Sequence, residues 1–310
     1  MATTVHTGFP DSTPLLDRPE ELRRRHEEDG FLFFRGLLPR EEVLALRTDF
    51  LEILHRFGWL DENRGLTEGL ADQAAVDAVP KDDIGFCGVG VPRKAYEEVQ
   101  RLESFHALAH HPRLISMYRS IFGADVLPHP RNIARLMLPT GNNAPTPPHQ
   151  DYIHIQGTTN VRTCWIPIGD CPRELGGLSV LRGSHKDGVL PVHAAEGAGS
   201  LEVYLCKTNY EWVEDDYQAG DVLTFESRTV HKALPNKTGP YVRLSCDYRY
   251  QPANEEIEQK SLRTHCNVLD WDEIYRDWSR EDLKYYWKRR TLTMGEWDET
   301  LQWQKEHICD

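Results

Sequence analysis

Residues 147–154 read PPHQDYIH, and this stretch organises the interpretation of the rest of the chain. It contains an H-x-D pair formed by His149 and Asp151. In an extended segment, side chains two residues apart point to the same side, so this imidazole and this carboxylate can reach one cation. The stretch therefore supplies two candidate metal ligands.

A third candidate ligand, His231, follows the turn and apolar strand pattern GDVLTFE of residues 220–226. Two histidines and one carboxylate are the donor set that holds non-haem Fe(II) with coordination positions left open for chemistry. Because His and Asp also bind other divalent metals, a zinc-dependent or non-oxidative cupin-like protein stays open at this point.

The centre of the chain has the composition of short β-strands separated by Pro, Gly and Asn clusters. Eight short strands fit a double-sheet jelly roll, which makes the expected fold mainly β. The eight runs are residues 126–127, 132–138, 152–155, 161–168, 178–181, 201–206, 222–225 and 241–250.

The flanks of this core have helical patterns. Apolar residues recur at helical spacing between Pro39 and Gly58, and helices are also expected over 18–29, 93–110 and 112–121. We therefore expect three parts. They are a flexible leader (1–18), a double-stranded β-helix domain with N-terminal support helices (19–252), and a helical, Trp-rich C-terminal extension packed on the core (253–310).

Composition limits the partners and the compartment. The formal net charge of -13 and a pI near 5.5 argue against nucleic acid and anionic membranes as partners. The N-terminus has no signal-peptide pattern and no run of eighteen apolar residues occurs, so a cytoplasmic protein is the default. Seven cysteines without C-x-x-C spacing are expected to be free thiols. Nothing in the sequence specifies the oligomeric state.

An arginine on a predicted core strand suggests an anionic ligand. Arg243 lies in the run YVRLS of residues 241–245, and a buried guanidinium without an anion would carry a large energetic penalty. A dicarboxylate would supply that anion, because the guanidinium fork matches a carboxylate. Ser245 shares the face of Arg243 on a regular strand and could add a hydroxyl donor.

Several motifs together resemble the phytanoyl-CoA dioxygenase (PhyH) family of Fe(II)- and 2-oxoglutarate-dependent oxygenases. The resemblance covers roughly residues 19–252. The motifs are PHQD (148–151), CWIPIGDCPRELGGLSVLRGSH (164–185), GDVLTFESRTVHKALPN (220–236), YVRLS (241–245) and the opening EDGFLFFRGLLPREEVLALR (28–47).

The resemblance implies a double-stranded β-helix of the cupin type and a role for each matching residue. Iron would be bound by His149, Asp151 and His231, and the C5 carboxylate of 2-oxoglutarate by Arg243. Gln150 and Trp165 fall where the family places residues of the cosubstrate pocket, although a solvent-facing Gln and a core Trp are alternative interpretations. Ala233 departs from relatives that carry a hydroxyl there, which leaves Ser245 to take that role.

The implied activity is a dioxygenase that uses Fe(II), 2-oxoglutarate and O2 to hydroxylate an unactivated C–H of a small molecule, with release of succinate and CO2. Desaturation, ring formation or epimerisation with the same cofactor, and a non-catalytic binding module, are the alternatives. The sequence does not identify the substrate. Arg131 and Arg135, alternating on one strand face, would meet either an anionic substrate or solvent. Segments 61–90 and 188–200 are candidate lids over the site.

Overall fold

The computed structural model of the chain describes residues 4–206 and 210–303. Most of the strands lie between Val126 and Glu258. The strands are β1 (Thr4–Thr7), β2 (Phe31–Phe34), β3 (Val126–Pro128), β4 (Ile133–Met137), β5 (Arg162–Pro167), β6 (Leu178–Leu181), β7 (Val192–Ala194), β8 (Leu201–Val203), β9 (Glu211–Glu214), β10 (Val222–Glu226), β11 (His231–Ala233), β12 (Arg243–Pro252), β13 (Ile257–Glu258) and β14 (Met294–Gly295).

Most helices precede the central strands. They are α1 (Pro19–Asp29), α2 (Arg40–Arg56), α3 (Gln73–Asp77), α4 (Lys81–Ile84), α5 (Arg93–Arg101), α6 (Glu103–Leu108), α7 (Pro112–Phe122), α8 (Tyr152–Ile155) and α9 (Trp271–Tyr275), joined by short 3-10 turns. Helix α1 ends where Gly30 adopts a left-handed conformation with φ of 80°, the C-terminal signal that the sequence predicted.

Two sheets form the core. The smaller has the strand order β1-β9-β6-β11, and the larger has the order β2-β10-β5-β12-β3, with β4 also pairing with β12. Within the larger sheet, β5 lies between β10 and β12, with Trp165 opposite Leu223 on one side and opposite Asp247 on the other. Strands β5 and β12 are thus hydrogen-bonded on both sides, which makes the middle of this sheet a rigid support for a site.

Apolar side chains fill the space between the sheets. Phe31, Trp165 and Phe225 of the larger sheet pack with Val180 and Val213 of the smaller one. The opposite face of the larger sheet is covered by helices. There Tyr248 and Tyr250 of β12 are buried and donate hydrogen bonds of 2.7 Å to the carbonyls of Phe105 and Ala109.

The start of the described chain is packed, and in this it differs from the flexible leader expected for residues 1–18. Strand β1 pairs in parallel with β9, and Phe9 and Leu15 are buried. Burial of these two apolar side chains favours an ordered conformation over a free one.

The C-terminal extension packs on the core, but it is largely not α-helical. Trp278 and Trp287 are buried in the cluster that includes α2 and α5. Within residues 253–303, only α9 is an α-helix, and 3-10 turns and the β13–β14 pair form the other regular structure. None of the helices in the two described ranges is both long enough and apolar enough to span a membrane.

A disulfide corrects the expectation that all cysteines are free thiols. Cys87 and Cys266 are bonded to each other across a sequence separation of 179 residues. Their spacing in the sequence carries no sign of this pairing, because the fold alone brings the two segments together. Cys164, Cys171 and Cys246 are buried free thiols, as expected.

Candidate metal and cosubstrate site

His149 and His231 face each other between the two sheets. The backbone N–H of each donates a 3.0 Å hydrogen bond to the carbonyl of the other, and the two imidazole centroids are 4.1 Å apart. His231 is the first residue of β11, so the pairing fixes both side chains against the small sheet. This contact between distant parts of the chain brings the first and third predicted ligands together.

Asp151 completes the group, although not from the extended segment that was predicted. The predicted strand 152–155 is the helix α8, and Asp151 has helical dihedrals at its N-terminus. The Oδ1 atom of Asp151 nevertheless lies 3.7 Å from Nε2 of His149 and 4.0 Å from Nε2 of His231. All three side chains are buried, and their ligand atoms lie within 4.8 Å of one another.

Backbone carbonyls orient both imidazoles. Nδ1 of His149 is 2.8 Å from the carbonyl of Pro147, and Nδ1 of His231 is 3.1 Å from the carbonyl of Thr229. Because a carbonyl only accepts, each Nδ1 carries a proton, and in the neutral imidazole Nε2 is then the nitrogen whose lone pair can bind a ligand. This is the usual support of a metal-binding histidine.

The second oxygen of Asp151 is held by two other residues. The hydroxyl of Thr163 donates a hydrogen bond to Oδ2, and Nη2 of Arg249 lies 3.5 Å from the same atom. Burial opposes ionisation of this carboxyl, but the charge of Arg249 together with the contacts of His149 and His231 outweighs burial and holds the pKa of Asp151 well below its usual range. Oδ1 therefore belongs to an ionised carboxylate that faces the two histidines.

The protonation state of the group suits a divalent metal. Burial, together with the neighbouring His149, lowers the pKa of His231 to about 3, so its imidazole is neutral at physiological pH. A neutral imidazole and an ionised carboxylate are the forms that bind metal. With two nitrogens, one oxygen and no thiolate, the donor set fits Fe(II) and leaves positions open for further ligands.

A small cavity of about 30 Å³ is lined by these three ligands and by Arg243. The Arg243 side chain is buried, and Nη1 donates a 2.8 Å hydrogen bond to Oγ of Ser245. Burial lowers the pKa of Arg243 to about 10, which still leaves it charged at neutral pH. No carboxylate of residues 4–206 or 210–303 forms an ion pair with it.

Trp165 lies in the same cavity with a second unsatisfied donor. Its indole N–H is buried and has no acceptor within the described parts of the chain. A buried cation without a counter-ion and a buried donor without an acceptor are costly unless a ligand satisfies them. A carboxylate would satisfy both, so the cavity fits the far end of 2-oxoglutarate.

Two predicted cosubstrate residues lie elsewhere or act differently. Gln150 does not line the cavity, because its amide donates to the carbonyls of Gly188 and Arg228 and accepts from the N–H of Leu190. The prediction that Gln150 lies in the cosubstrate pocket therefore needs correction, since its side chain hydrogen-bonds to two loops instead. Ser245 is buried and accepts the hydrogen bond from Arg243, so it orients the guanidinium.

Sequence reasoning missed Thr163 and gave Arg249 no role beside the metal ligands. The two residues are opposite each other in the register of β5 and β12, which is why they reach the same carboxylate oxygen. The sequence of β12 does contain a pattern that could have indicated Arg249. Residues 243, 245, 247 and 249 are polar and alternate with apolar neighbours. Such alternation in a buried strand indicates a polar face turned toward a site.

A wider cavity of about 270 Å³ opens beside His149 and Asp151. Its lining includes Ala198 and Gly199 of one predicted lid segment, Cys87 of the other, and His265 of the C-terminal extension. Both predicted lid segments therefore reach the cavity. At Gly88 an added Cβ would lie 2.3 Å from Cβ of Ala198, so the two segments are in direct contact.

Comparison with known proteins identifies the family. The model of the phytanoyl-CoA dioxygenase (PhyH) family matches residues 26–243. The 1-deoxypentalenic acid 11-beta-hydroxylase of Streptomyces arenae is 30% identical over 295 residues, covering 90% of this chain and 95% of that protein. The enzyme of the same name from Streptomyces exfoliatus is 28% identical over the same shares.

Solved structures with the same fold include two enzymes of nogalamycin biosynthesis. The epimerase SnoN, in complex with Fe3+, alpha ketoglutarate and nogalamycin RO, has a TM-score of 0.53 at 22% identity, covering 78% of this chain and 86% of SnoN. The carbocyclase SnoK has a TM-score of 0.50 at 21% identity, covering 81% and 89%. These similarities confirm the predicted jelly-roll core and concern the fold alone.

The family match extends over more than half of the chain, and the similarity to the Streptomyces arenae hydroxylase extends over nearly all of both proteins. The chain belongs to the phytanoyl-CoA dioxygenase family, as its sequence motifs predicted.

Proposed function

We propose that this protein is an Fe(II)- and 2-oxoglutarate-dependent dioxygenase that hydroxylates an unactivated C–H of a small molecule, with release of succinate and CO2. One observation carries the proposal. The three ligand atoms of His149, Asp151 and His231 converge, and the same cavity is lined by the guanidinium of Arg243, which has no ion-pair partner in the described residues. A zinc hydrolase or a non-oxidative cupin has no need of the second feature.

Three residues hold the metal in this proposal. His149 and His231 present Nε2, and Asp151 presents Oδ1, so half of an octahedron is left for other ligands. Bound Fe(II), with 2-oxoglutarate and O2, supplies the oxidising chemistry. Thr163 and Arg249 keep the Asp151 carboxylate turned so that a single oxygen faces the metal position.

Three other residues bind and orient the cosubstrate. Arg243 pairs with the far carboxylate of 2-oxoglutarate, and the indole N–H of Trp165 donates a hydrogen bond to it. Ser245 keeps the guanidinium in the correct orientation by accepting one of its N–H groups. With its far carboxylate held in this way, bound 2-oxoglutarate would have its keto-acid end free to bind the metal held by His149, Asp151 and His231.

Exclusion of water is the remaining task of the protein. Three segments surround the wider cavity: the turn at Cys87, the loop at Ala198 and Gly199, and the extension at His265 and Cys266. A reactive oxidant needs such cover, because solvent would otherwise consume it. We infer that these segments close over the bound substrate.

The substrate belongs to small-molecule metabolism in this proposal, since the curated relatives act on 1-deoxypentalenic acid. We also propose a cytoplasmic location with neither nucleic acid nor membrane as a partner. The net charge of -13 supports the expected lack of these two partners, because nucleic acid and anionic membranes both repel an acidic protein.

The test is succinate formation by purified, Fe(II)-loaded protein with 2-oxoglutarate, O2 and a metabolite library that includes 1-deoxypentalenic acid. We expect substrate-dependent succinate and a product that has gained one oxygen atom. His149→Ala, Asp151→Ala and His231→Ala should each abolish both. His185→Gln is the matched control, because His185 is a buried histidine that contacts the carbonyl of Glu27 outside the cavities. Turnover without iron, or an oxidised product from His231→Ala, would contradict the proposal.

A product that has lost two hydrogens, or has changed only its configuration, would instead indicate desaturation, ring formation or epimerisation by the same site.

A further inference from the structure

The wider cavity contains more positive charge than its own residues neutralise. Arg131, Arg135 and Arg249 line it together with a single carboxylate, Asp151. Arg135 is satisfied within the protein, because Nε donates to Asp247 over 2.9 Å and Nη1 donates to the carbonyl of Gly88 over 2.7 Å. The other two arginines differ from it in this respect.

Arg131 forms no ion pair within the described ranges, and the one carboxylate whose charge acts on it, Glu258, lies outside the cavity lining. Its one hydrogen bond runs from Nε to the carbonyl of Arg263, over 3.3 Å, and leaves both terminal nitrogens without a protein acceptor there. The side chain is half-buried. Burial and the nearby charge of Arg249 lower the pKa of Arg131 to about 10, so it remains a cation at neutral pH.

Arg249 is only partly satisfied. Nη2 lies 3.5 Å from Asp151, but Nε is buried and has no hydrogen-bond partner in residues 4–206 and 210–303. The side chain is 9% exposed and lines both cavities. A buried donor that faces a cavity without an acceptor is a candidate for ligand recognition.

The excess of positive charge remains when the proposed cofactors are counted. The two cavities together are lined by four arginines and two aspartates, an excess of two positive charges. An Fe(II) ion and a 2-oxoglutarate dianion cancel each other and leave this excess unchanged. The wider cavity, where Arg131 and Arg249 have donors without acceptors, is therefore suited to a further anion.

We propose that Arg131, assisted by Arg249, binds a carboxylate of the substrate, so that this enzyme acts on a carboxylic acid. The inference rests on the proposed function, because it places the acid in the cavity beside the metal position. The lining also includes Thr146 and His154, so polar side chains other than the arginines face the ligand. The guanidinium fork suits a planar carboxylate, and anchoring that group would leave the rest of the molecule to reach toward His149 and Asp151.

Binding can be measured without turnover. The full-length protein is loaded with Ni(II) and 2-oxoglutarate, and calorimetry compares 1-deoxypentalenic acid and adamantane-1-carboxylic acid with their methyl esters. We expect at least one acid to bind more tightly than its ester. Arg131→Gln should weaken the binding of that acid by about 10- to 100-fold, the range for losing a hydrogen-bonded charged group. The affinities for the ester and for 2-oxoglutarate should not change.

Two further variants separate a carboxylate contact from a general loss of charge or structure. Arg263→Gln removes an exposed positive charge that lies outside the cavity and should bind the acid like the wild type. Arg131→Glu should reject the acid and bind adamantan-1-amine in its place. Weakening by Arg263→Gln equal to that by Arg131→Gln would overturn the proposal.

Three further outcomes test the proposed function and the substrate inference separately. If the wild type fails to bind 2-oxoglutarate, the proposed function itself fails. If it binds 2-oxoglutarate but holds neither acid more tightly than its ester, the substrate inference is overturned and the proposed function stands. Tighter binding of hexyl phosphate than of hexanoic acid would overturn the carboxylate assignment.

Discussion

The hydroxyl of Thr163 donates a hydrogen bond to Oδ2 of Asp151, and this leaves Oδ1 as the carboxylate oxygen nearest to both histidines. Thr163 thus orients a candidate metal ligand without touching the metal position itself. Because the two residues belong to different elements, β5 and the turn before α8, the hydrogen bond also ties that turn to the central sheet.

Thr163→Val should therefore weaken metal binding while preserving the fold. Partners that orient metal ligands typically contribute about 10- to 100-fold to metal affinity, and we expect a loss in that range. Anaerobic competition with a chelator measures it. Thr224→Val is the matched control, because Thr224 is a buried threonine of β10 whose hydroxyl contacts Tyr118. Equal metal affinity in Thr163→Val and wild type would remove Thr163 from this role.

Arg243→Ala should produce a selective defect in cosubstrate binding. Loss of one partner of a buried charged pair should weaken 2-oxoglutarate binding by on the order of 2–4 kcal/mol, with metal binding retained. Arg243→Lys should recover part of the loss, since an ammonium cannot reproduce the fork. Calorimetric titration of 2-oxoglutarate gives the values. Arg162→Ala serves as control, being a buried arginine of β5 that lines neither cavity. Unchanged 2-oxoglutarate affinity in Arg243→Ala would refute the assignment.

Gly88→Ala should uncouple cosubstrate consumption from product formation. The added methyl group would press on Ala198 at 2.3 Å and separate the two candidate lid segments over the wider cavity. The ratio of succinate to hydroxylated product should rise. Gly36→Ala is the control, because Gly36 also has a positive φ, of 57°, but an added Cβ meets nothing within 4 Å. The same ratio in both variants would place the cover elsewhere.

Stability should fall as the solution becomes acidic, in part because of His106. Burial lowers the pKa of this histidine from 6.5 to about 3, so below pH 6.5 the unfolded chain takes up a proton that the folded chain does not. The free energy of unfolding therefore decreases as pH falls, by about 1.4 kcal/mol per pH unit for this one group.

His106→Gln should remove that part of the pH dependence. Urea unfolding between about pH 6 and pH 4.5 should give a smaller slope for the variant than for wild type. Identical slopes for wild type and His106→Gln would show that His106 does not titrate in this way.

Strong local patterns predicted much of the fold. The run 178–181 is β6, and Gly30 ends α1 as expected. Strand β9 was missed because Glu211 and Glu214 at its ends hide the apolar pattern, and β1 was missed because its partner lies far away in the sequence. Tertiary contacts decide such strands.

The candidate metal ligands were recognisable from the sequence because two histidines and one carboxylate are a known metal-binding set, and because several family motifs surround them. Supporting residues were harder to recognise. Thr163 is one polar residue in an apolar strand, and only its register opposite Arg249 explains it. Gln150 was misplaced because sequence adjacency to the ligands says little about direction, and its amide in fact binds the loops at Gly188 and Arg228.

Strand β12 also fixes the distance between two arginines that line the site. Arg243 and Arg249 lie on the same face of it, about 20 Å apart along the strand at roughly 3.3 Å per residue. Because β12 is hydrogen-bonded on both sides, this spacing cannot adapt to the ligand. If Arg243 anchors the cosubstrate and Arg249 helps to anchor the acid group of the substrate, the carbon that is oxidised lies at a fixed distance from that acid group. Longer homologues of a substrate would then be oxidised at the same carbon, counted from the carboxyl, with their additional length accommodated beneath the covering loops.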